Sequence, residues 1–311
     1  MKVLIAYDGS ECADAALEDL RRAGLPDAAE ALIISAADVF VPPPADAEEG
    51  ETLPRQVTVG VRRAHERAAR AVAAARTLAE RAAARVRADF AGWVVRAEAY
   101  ADSPAWAVVK TADEWQPDLI VVGAQGHAAL AGRLILGSVS QRILYEARSS
   151  VRVARSHDKA AGAPVRIVIG VDGSADSAAA SAAVAARTWP DKTEVRVVVA
   201  LDGALAEDSD DESAGEQERI GQYAEALAGQ LRATGLAASV VMTEGHPKDV
   251  LVEEAASWAA DSIFVGAKGL RGVDRILLGS VSAAVAARAH CSVEVVRPHA
   301  DAADQGAGIS S

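Results

Sequence analysis

Residues 265–282 read VGAKGLRGVDRILLGSVS, four glycines set between the end of an apolar, strand-like run and the start of a helical pattern. Glycine weakens both kinds of element, so its repeated use points to a backbone that must stay unobstructed. The chain does the same at 122–140, VGAQGHAALAGRLILGSVS. Gly123 and Gly266 end their strands, and missing side chains let successive N–H groups surround an anion as a nest. Gly137, Ser138, Val139 and Ser140 then open a helical pattern, as do Gly279, Ser280, Val281 and Ser282. A helix start offers unpaired N–H groups and a partial positive charge, and here two hydroxyls as well, which suits a phosphate. Asp8 and Asp172 end the first strand of each half. A carboxylate there accepts hydrogen bonds from a base amino group or a ribose hydroxyl and repels phosphate. Asp-Gly-Ser is also ordinary turn and cap chemistry. No Gly-x4-Gly-Lys-Ser/Thr occurs, and the first strand–helix turn has no Gly-x-Gly-x-x-Gly, which excludes the P-loop and the dinucleotide fingerprint.

Elements that would position these residues repeat across the chain. Strands are expected at 2–7, 31–37, 93–100, 118–123 and 151–154, and again at 165–171, 194–201, 238–243, 262–266 and 293–296. Helical stretches separate them, the first over 11–23 with Ser10 as N-cap and Glu11 and Asp14 in its first turn, another over 61–88. Five strands per half with helical crossovers predict an α/β fold with parallel sheets covered on both faces. The domains expected are 1–157 and 165–297, joined by a linker at 158–164 and followed by a disordered tail at 298–311.

The chain has 311 residues, half of them apolar, enough for two cores, and a net charge of −12 that disfavours nucleic acid and anionic lipid as partners. Cys12 and Cys291 are too few for a disulfide framework or a thiolate zinc site and read as core or near-core residues of a cytoplasmic protein. No apolar run is long enough to span a membrane. Acidic stretches at 40–51 and 206–216 read as solvated loops, and the arginine-rich face of the helix at 61–88 as a solvated surface. The six histidines lack metal-ligand spacing, though His127 adjoins the first nest. The five tryptophans read as packing residues.

With these residues in place, the chain resembles the universal stress proteins in a tandem form covering residues 1 to about 297. ATP-binding members of that family carry Gly-x2-Gly-x9-Gly-Ser/Thr, with an aspartate ending the first strand. Gly266, Gly269, Gly279 and Ser280 match this in register, and Asp172 lies upstream. Gly123, Gly126, Gly137 and Ser138 match in kind, with ten residues instead of nine between Gly126 and Gly137. The resemblance implies two Rossmann-like domains of the adenine nucleotide alpha hydrolase type, each a five-stranded parallel sheet of order 3-2-1-4-5. It implies ATP or AMP as ligand, with Mg²⁺ accompanying ATP through the phosphates; the residues themselves offer no evident general base and no second acid cluster, so little or no hydrolysis is expected. Asp172 would then meet the adenosine part, while Gly266, Lys268, Gly269, Gly279, Ser280, Val281 and Ser282 line the phosphate side. Asp8, Gly123, Gly126, Gly137, Ser138, Val139 and Ser140 would form a weaker site, where neutral Gln125 replaces Lys268. The resemblance also implies an intrachain pseudo-dimer through the last strands, 149–155 and 291–297, and leaves a homodimer open. A scaffold without nucleotide and an ATP-pyrophosphatase are the alternatives, the latter from the partial likeness of Asp172-Gly-Ser-Ala-Asp-Ser to a phosphate loop.

Overall fold

The computed structural model describes residues 1–41, 55–125, 136–156, 162–201, 210–269 and 278–298. Gly126, His127, most of the first acidic stretch and the tail from 299 lie outside the described residues. The first half runs β1 (Lys2–Ala6), α1 (Glu11–Asp19), β2 (Glu30–Ala37), α2 (Arg55–Asp89), β3 (Val94–Ala101), α3 (Pro104–Trp115), β4 (Leu119–Gly123), α4 (Ser138–Glu146) and β5 (Ser150–Ala154). The second repeats it as β6 (Arg166–Gly170), α5 (Ala175–Ala185), β7 (Glu194–Leu201), α6 (Asp210–Ala233), β8 (Ala237–Glu244), α7 (Pro247–Ser257), β9 (Ser262–Gly266), α8 (Ser280–Arg288) and β10 (Ser292–Val296). Within each half the strands pair in parallel in the order 3-2-1-4-5, so the first and fourth lie side by side. The two sheets fuse into one of ten strands, because β5 and β10 pair antiparallel with Glu294 opposite Arg152.

That junction changes the expectation of two cores. Val151 and Val153 of β5 and Val293 and Val295 of β10 point to one face, where α3, α4, α7 and α8 pack in a single apolar cluster shared by both halves. On the opposite face α1 and α2 cover one cluster, α5 and α6 another. Between those two sits a buried charge network. Arg152 donates from Nε and Nη2 to both carboxylate oxygens of Asp19, at 2.5 and 3.0 Å, and from Nη1 to Glu294 at 3.3 Å. Arg187 also binds Glu294, and the Ser292 hydroxyl donates to Asp19 at 2.7 Å. Both guanidinium groups lie over the Phe264 ring, 6.0 and 5.1 Å from its centre, a favourable cation–π placement. Burial pulls the Arg152 guanidinium down, but the charge and hydrogen bonds of Asp19 and Glu294 outweigh it and hold the group above its ordinary value.

The pseudo-two-fold axis repeats in the arginines that end these strands. Arg155 donates to Ala286 O at 2.6 Å and Cys291 O at 3.2 Å; Arg297 donates to Leu144 O at 2.6 Å and Ser149 O at 3.1 Å. Each thus caps the C-terminal end of a helix in the other half, where the dipole favours a cation. Burial lowers Arg297 to about 10, still protonated at neutral pH.

Two consequences are measurable. Gly24 has φ +63, and a Cβ there would lie 2.6 Å from the Trp189 ring. Gly24→Ala therefore combines left-handed strain with a clash across the halves, and urea unfolding should show a loss of at least about 2 kcal/mol. Burial raises the Cys291 thiol to about 11. Alkylation of the native protein at pH 8 should therefore leave Cys291 unmodified under conditions that label it fully after unfolding, read by peptide mass spectrometry.

Some details depart from the sequence reading. Trp106 is 46% exposed and so lies outside the core. The acidic run beginning at Asp210 is helical, since carboxylates are favoured at a helix N-terminus, whereas composition alone suggested a loop. Helix α2 starts six residues before the expected position.

Candidate functional site

Each half brings the ends of its first and fourth strands together at the C-terminal edge of the sheet, the side where open α/β folds bind ligands. Because β5 and β10 are antiparallel, the two sites face opposite edges of the sheet. In the second half, Asp172 Oδ1 accepts from Ser174 N at 3.0 Å and Ser174 Oγ at 2.6 Å. Ser174 in turn caps α5, accepting from Ser177 N at 3.1 Å. Its turn depends on Gly173 at φ +81. The same turn holds Asp8, Gly9 and Ser10 at the start of α1.

The glycines do different jobs. A Cβ on Gly266 would lie 2.5 Å from the Asp176 carbonyl carbon, and one on Gly123 would lie 2.6 Å from Cys12 O. These two positions admit no side chain because the strand end meets the first turn of the neighbouring helix, a packing demand that the nest argument did not contain. A Cβ on Gly269 would lie 2.6 Å from Asp172 Oδ2, so the structure puts this glycine and the expected adenosine-side carboxylate in direct contact. Gly279 caps α8 in an extended conformation, with its N–H on Ala267 O at 2.7 Å; Gly137 does the same on Ala124 O at 2.8 Å.

Neither α4 nor α8 has a side-chain N-cap, whereas Ser10 and Ser174 cap α1 and α5. A glycine cap leaves the first-turn N–H groups without a hydroxyl or carboxylate from the cap residue, the arrangement in which an external anion can supply the acceptor. Ser138 and Ser280 are exposed at these helix starts, and Val139 and Val281 pack against the shared core. Ser140 and Ser282 differ from the sequence expectation. Their hydroxyls are buried and donate inward, at 2.6 Å each, to Gly123 O and Gly266 O. They tie the helix start to the strand end, so their side chains act as struts.

The universal stress protein family model matches residues 1–155 and again 165–297. The chain belongs to the universal stress protein family. Universal stress proteins of Mycobacterium bovis and Mycobacterium tuberculosis are 34% identical to it over 218 residues, covering 65% of this chain and 69% of theirs. One from Mycolicibacterium smegmatis is 32% identical over 223 residues, 67% of this chain and 70% of its own. The crystal structure of a universal stress protein from Archaeoglobus fulgidus aligns with a TM-score of 0.59 at 18% identity, over 95% of this chain and 98% of that one, a likeness of fold. No helix among the described residues is long and apolar enough to cross a membrane.

Sequence reasoning missed one residue of this universal stress protein site. Asp176, in the first turn of α5, accepts the Lys268 backbone N–H at 2.8 Å and so ties the turn after β9 to the next helix. The signal was available: Ser10 and Ser174 align as caps, and two residues later the halves differ, Cys12 against Asp176. Tyr223 of α6 also stands near the site; burial first, then the charge of Asp172, raises its hydroxyl. Leu78 of α2 and Ile220 of α6 close over Gly9 and Gly173, at 3.0 and 3.2 Å from where a Cβ would stand.

Proposed function

We propose that the protein binds an adenine nucleotide, ATP or AMP, at the second-half site and serves as a stress-response regulator whose conformation or partner contacts follow occupancy. The observation that carries this is the glycine-capped start of α8 beside the Gly266–Gly269 turn, with Asp172 against Gly269. First-turn N–H groups and Lys268 would hold the phosphates, while the Asp172 carboxylate suits base or ribose donors. Gly269 fits such a ligand because any side chain there would displace the Asp172 carboxylate. Mg²⁺ would accompany ATP through phosphate oxygens. Slow or absent hydrolysis follows from the commitments of the two nearby carboxylates: Asp172 is held by Ser174, and Asp176 by the Lys268 backbone. Neither is poised as a general base. Two unpaired thiols agree with a reducing, cytoplasmic setting.

Native mass spectrometry of freshly purified protein, followed by denaturing release, tests the reading. One adenine nucleotide per chain is expected at the second site. Two would give the first site equal standing. If nothing co-purifies and millimolar ATP leaves no adduct, the turns are structural and the protein is a scaffold without nucleotide.

A further inference from the structure

Among the described residues the two candidate sites share their capped first turn, fourth-strand glycine and glycine-capped helix start, and they differ at one residue of the first helix turn. In both, the glycine ending the fourth strand lies against the same residue of the first helix turn, Cys12 in one half and Asp176 in the other. Asp176 does more than pack. Its carboxylate accepts the Lys268 N–H at 2.8 Å, fixing the backbone one residue before Gly269 and hence the approach of that glycine to Asp172. The carboxylate also lies within electrostatic reach of Arg297, whose side chain donates to Leu144 O and Ser149 O of the first half. A thiol at the matching place cannot reproduce this, since sulfur is a weak acceptor and Cys12 carries no carboxylate oxygens.

We propose that Asp176 is the positioning residue of the second site, a role that Cys12 cannot take at the matching place in the first. This rests on the nucleotide reading above. It also goes beyond it, because it places one difference between the halves at a residue outside the glycine motif. A charge-assisted hydrogen bond from a backbone N–H to a carboxylate holds the turn in its binding shape before the ligand arrives, which reduces the ordering cost of binding. The proposal also explains why an acid is tolerated beside a phosphate-binding turn: its oxygen faces the Lys268 N–H, and Arg297 offsets its charge.

Full-length Asp176→Ala and Asp176→Asn proteins test this against the wild type. Two readouts are needed: amide hydrogen exchange of the 264–269 segment without nucleotide, and ATP affinity by calorimetric titration. Asp176→Ala should speed exchange at Lys268 and weaken ATP binding at least about tenfold, the worth of one charge-assisted hydrogen bond. Asp176→Asn keeps an oxygen that can accept the N–H but loses the charge assistance, so both readouts should fall between the alanine variant and the wild type. Unchanged affinity in a folded Asp176→Ala protein overturns the binding role, whatever the exchange rate. Equal losses in the alanine and asparagine variants overturn positioning by this hydrogen bond and leave charge as the cause. A wild-type protein that takes up no ATP removes the nucleotide reading and the binding role together, and the exchange rates still decide whether Asp176 holds the turn.

Discussion

Arg152→Leu should destabilise the protein by about 3–5 kcal/mol, the cost of leaving buried charges without their partner. Asp19, Glu294 and Arg152 are all 1% exposed or less, and Arg152 is the residue that touches both carboxylates. Arg187 continues to hold Glu294 in the variant, and Ser292 continues to donate to Asp19, but Asp19 loses its bidentate cation. Arg152→Glu should be worse, since it adds a third carboxylate to the same cavity. Urea unfolding with far-ultraviolet circular dichroism gives the number. A loss under 1 kcal/mol for the leucine variant would mean that water reaches the seam and the network is no anchor. Because the apolar face beneath is shared by both halves and the variant leaves it intact, unfolding should follow one transition in both proteins.

The same network says something about partner choice. Arg152 and Glu294 occupy equivalent places in the two halves and face each other across β5 and β10. If either half paired with a copy of itself, the residue at that place would meet its own like charge in a buried position, which is strongly unfavourable. Tandem fusion lets the pair be complementary. The strands 149–155 and 291–297 were readable in the sequence as alternating edge strands that need a partner, and they do pair. The burial of Arg152 and Glu294 was not readable, because alternation alone cannot reveal that α1 and α5 close over that side.

Much of the fold was legible for a simple reason: parallel strands buried on both faces read as continuous apolar runs, and nearly every expected strand lies within a residue or two of its observed ends. Long-range consequences were not legible. The apolar cluster shared by both halves, beside one cluster in each half, follows from the β5–β10 junction, which no local pattern encodes. At the site, spacing identified Asp172, Gly266, Gly269 and Gly279 as a group, and the structure brings them together. It could not tell a glycine required by helix packing, such as Gly266, from one required beside the Asp172 carboxylate, such as Gly269. Nor could it show that the Ser140 and Ser282 hydroxyls point inward, since a serine three residues into a helix has the same sequence signature whether it faces ligand or strand.

Gly279→Val is the substitution that separates ligand from fold most sharply. The native conformation, φ −75 and ψ 157, is extended and open to a β-branched residue without backbone strain. A Cβ there would meet Ala267 O at 3.2 Å, which a shift of a few tenths of an ångström in that turn would relieve, and Lys268 Cα and Ser282 Oγ at 3.7 Å, ordinary van der Waals contact. Stability should therefore change by less than about 1 kcal/mol. The added methyl groups, however, stand between the start of α8 and the turn at Ala267 and Lys268, where phosphate oxygens would reach the first-turn N–H groups. Steric loss of those contacts should weaken adenine nucleotide binding at least about 100-fold, equivalent to about 2.7 kcal/mol. Gly137→Val applies the same block to the first site and should cost little if the second site dominates. Titration of both variants with a fluorescent adenine nucleotide, alongside thermal unfolding, gives the comparison. Undiminished affinity in a folded Gly279→Val protein would place the nucleotide elsewhere, and a larger loss in Gly137→Val would reverse the order of the two halves and with it the role given to Asp176.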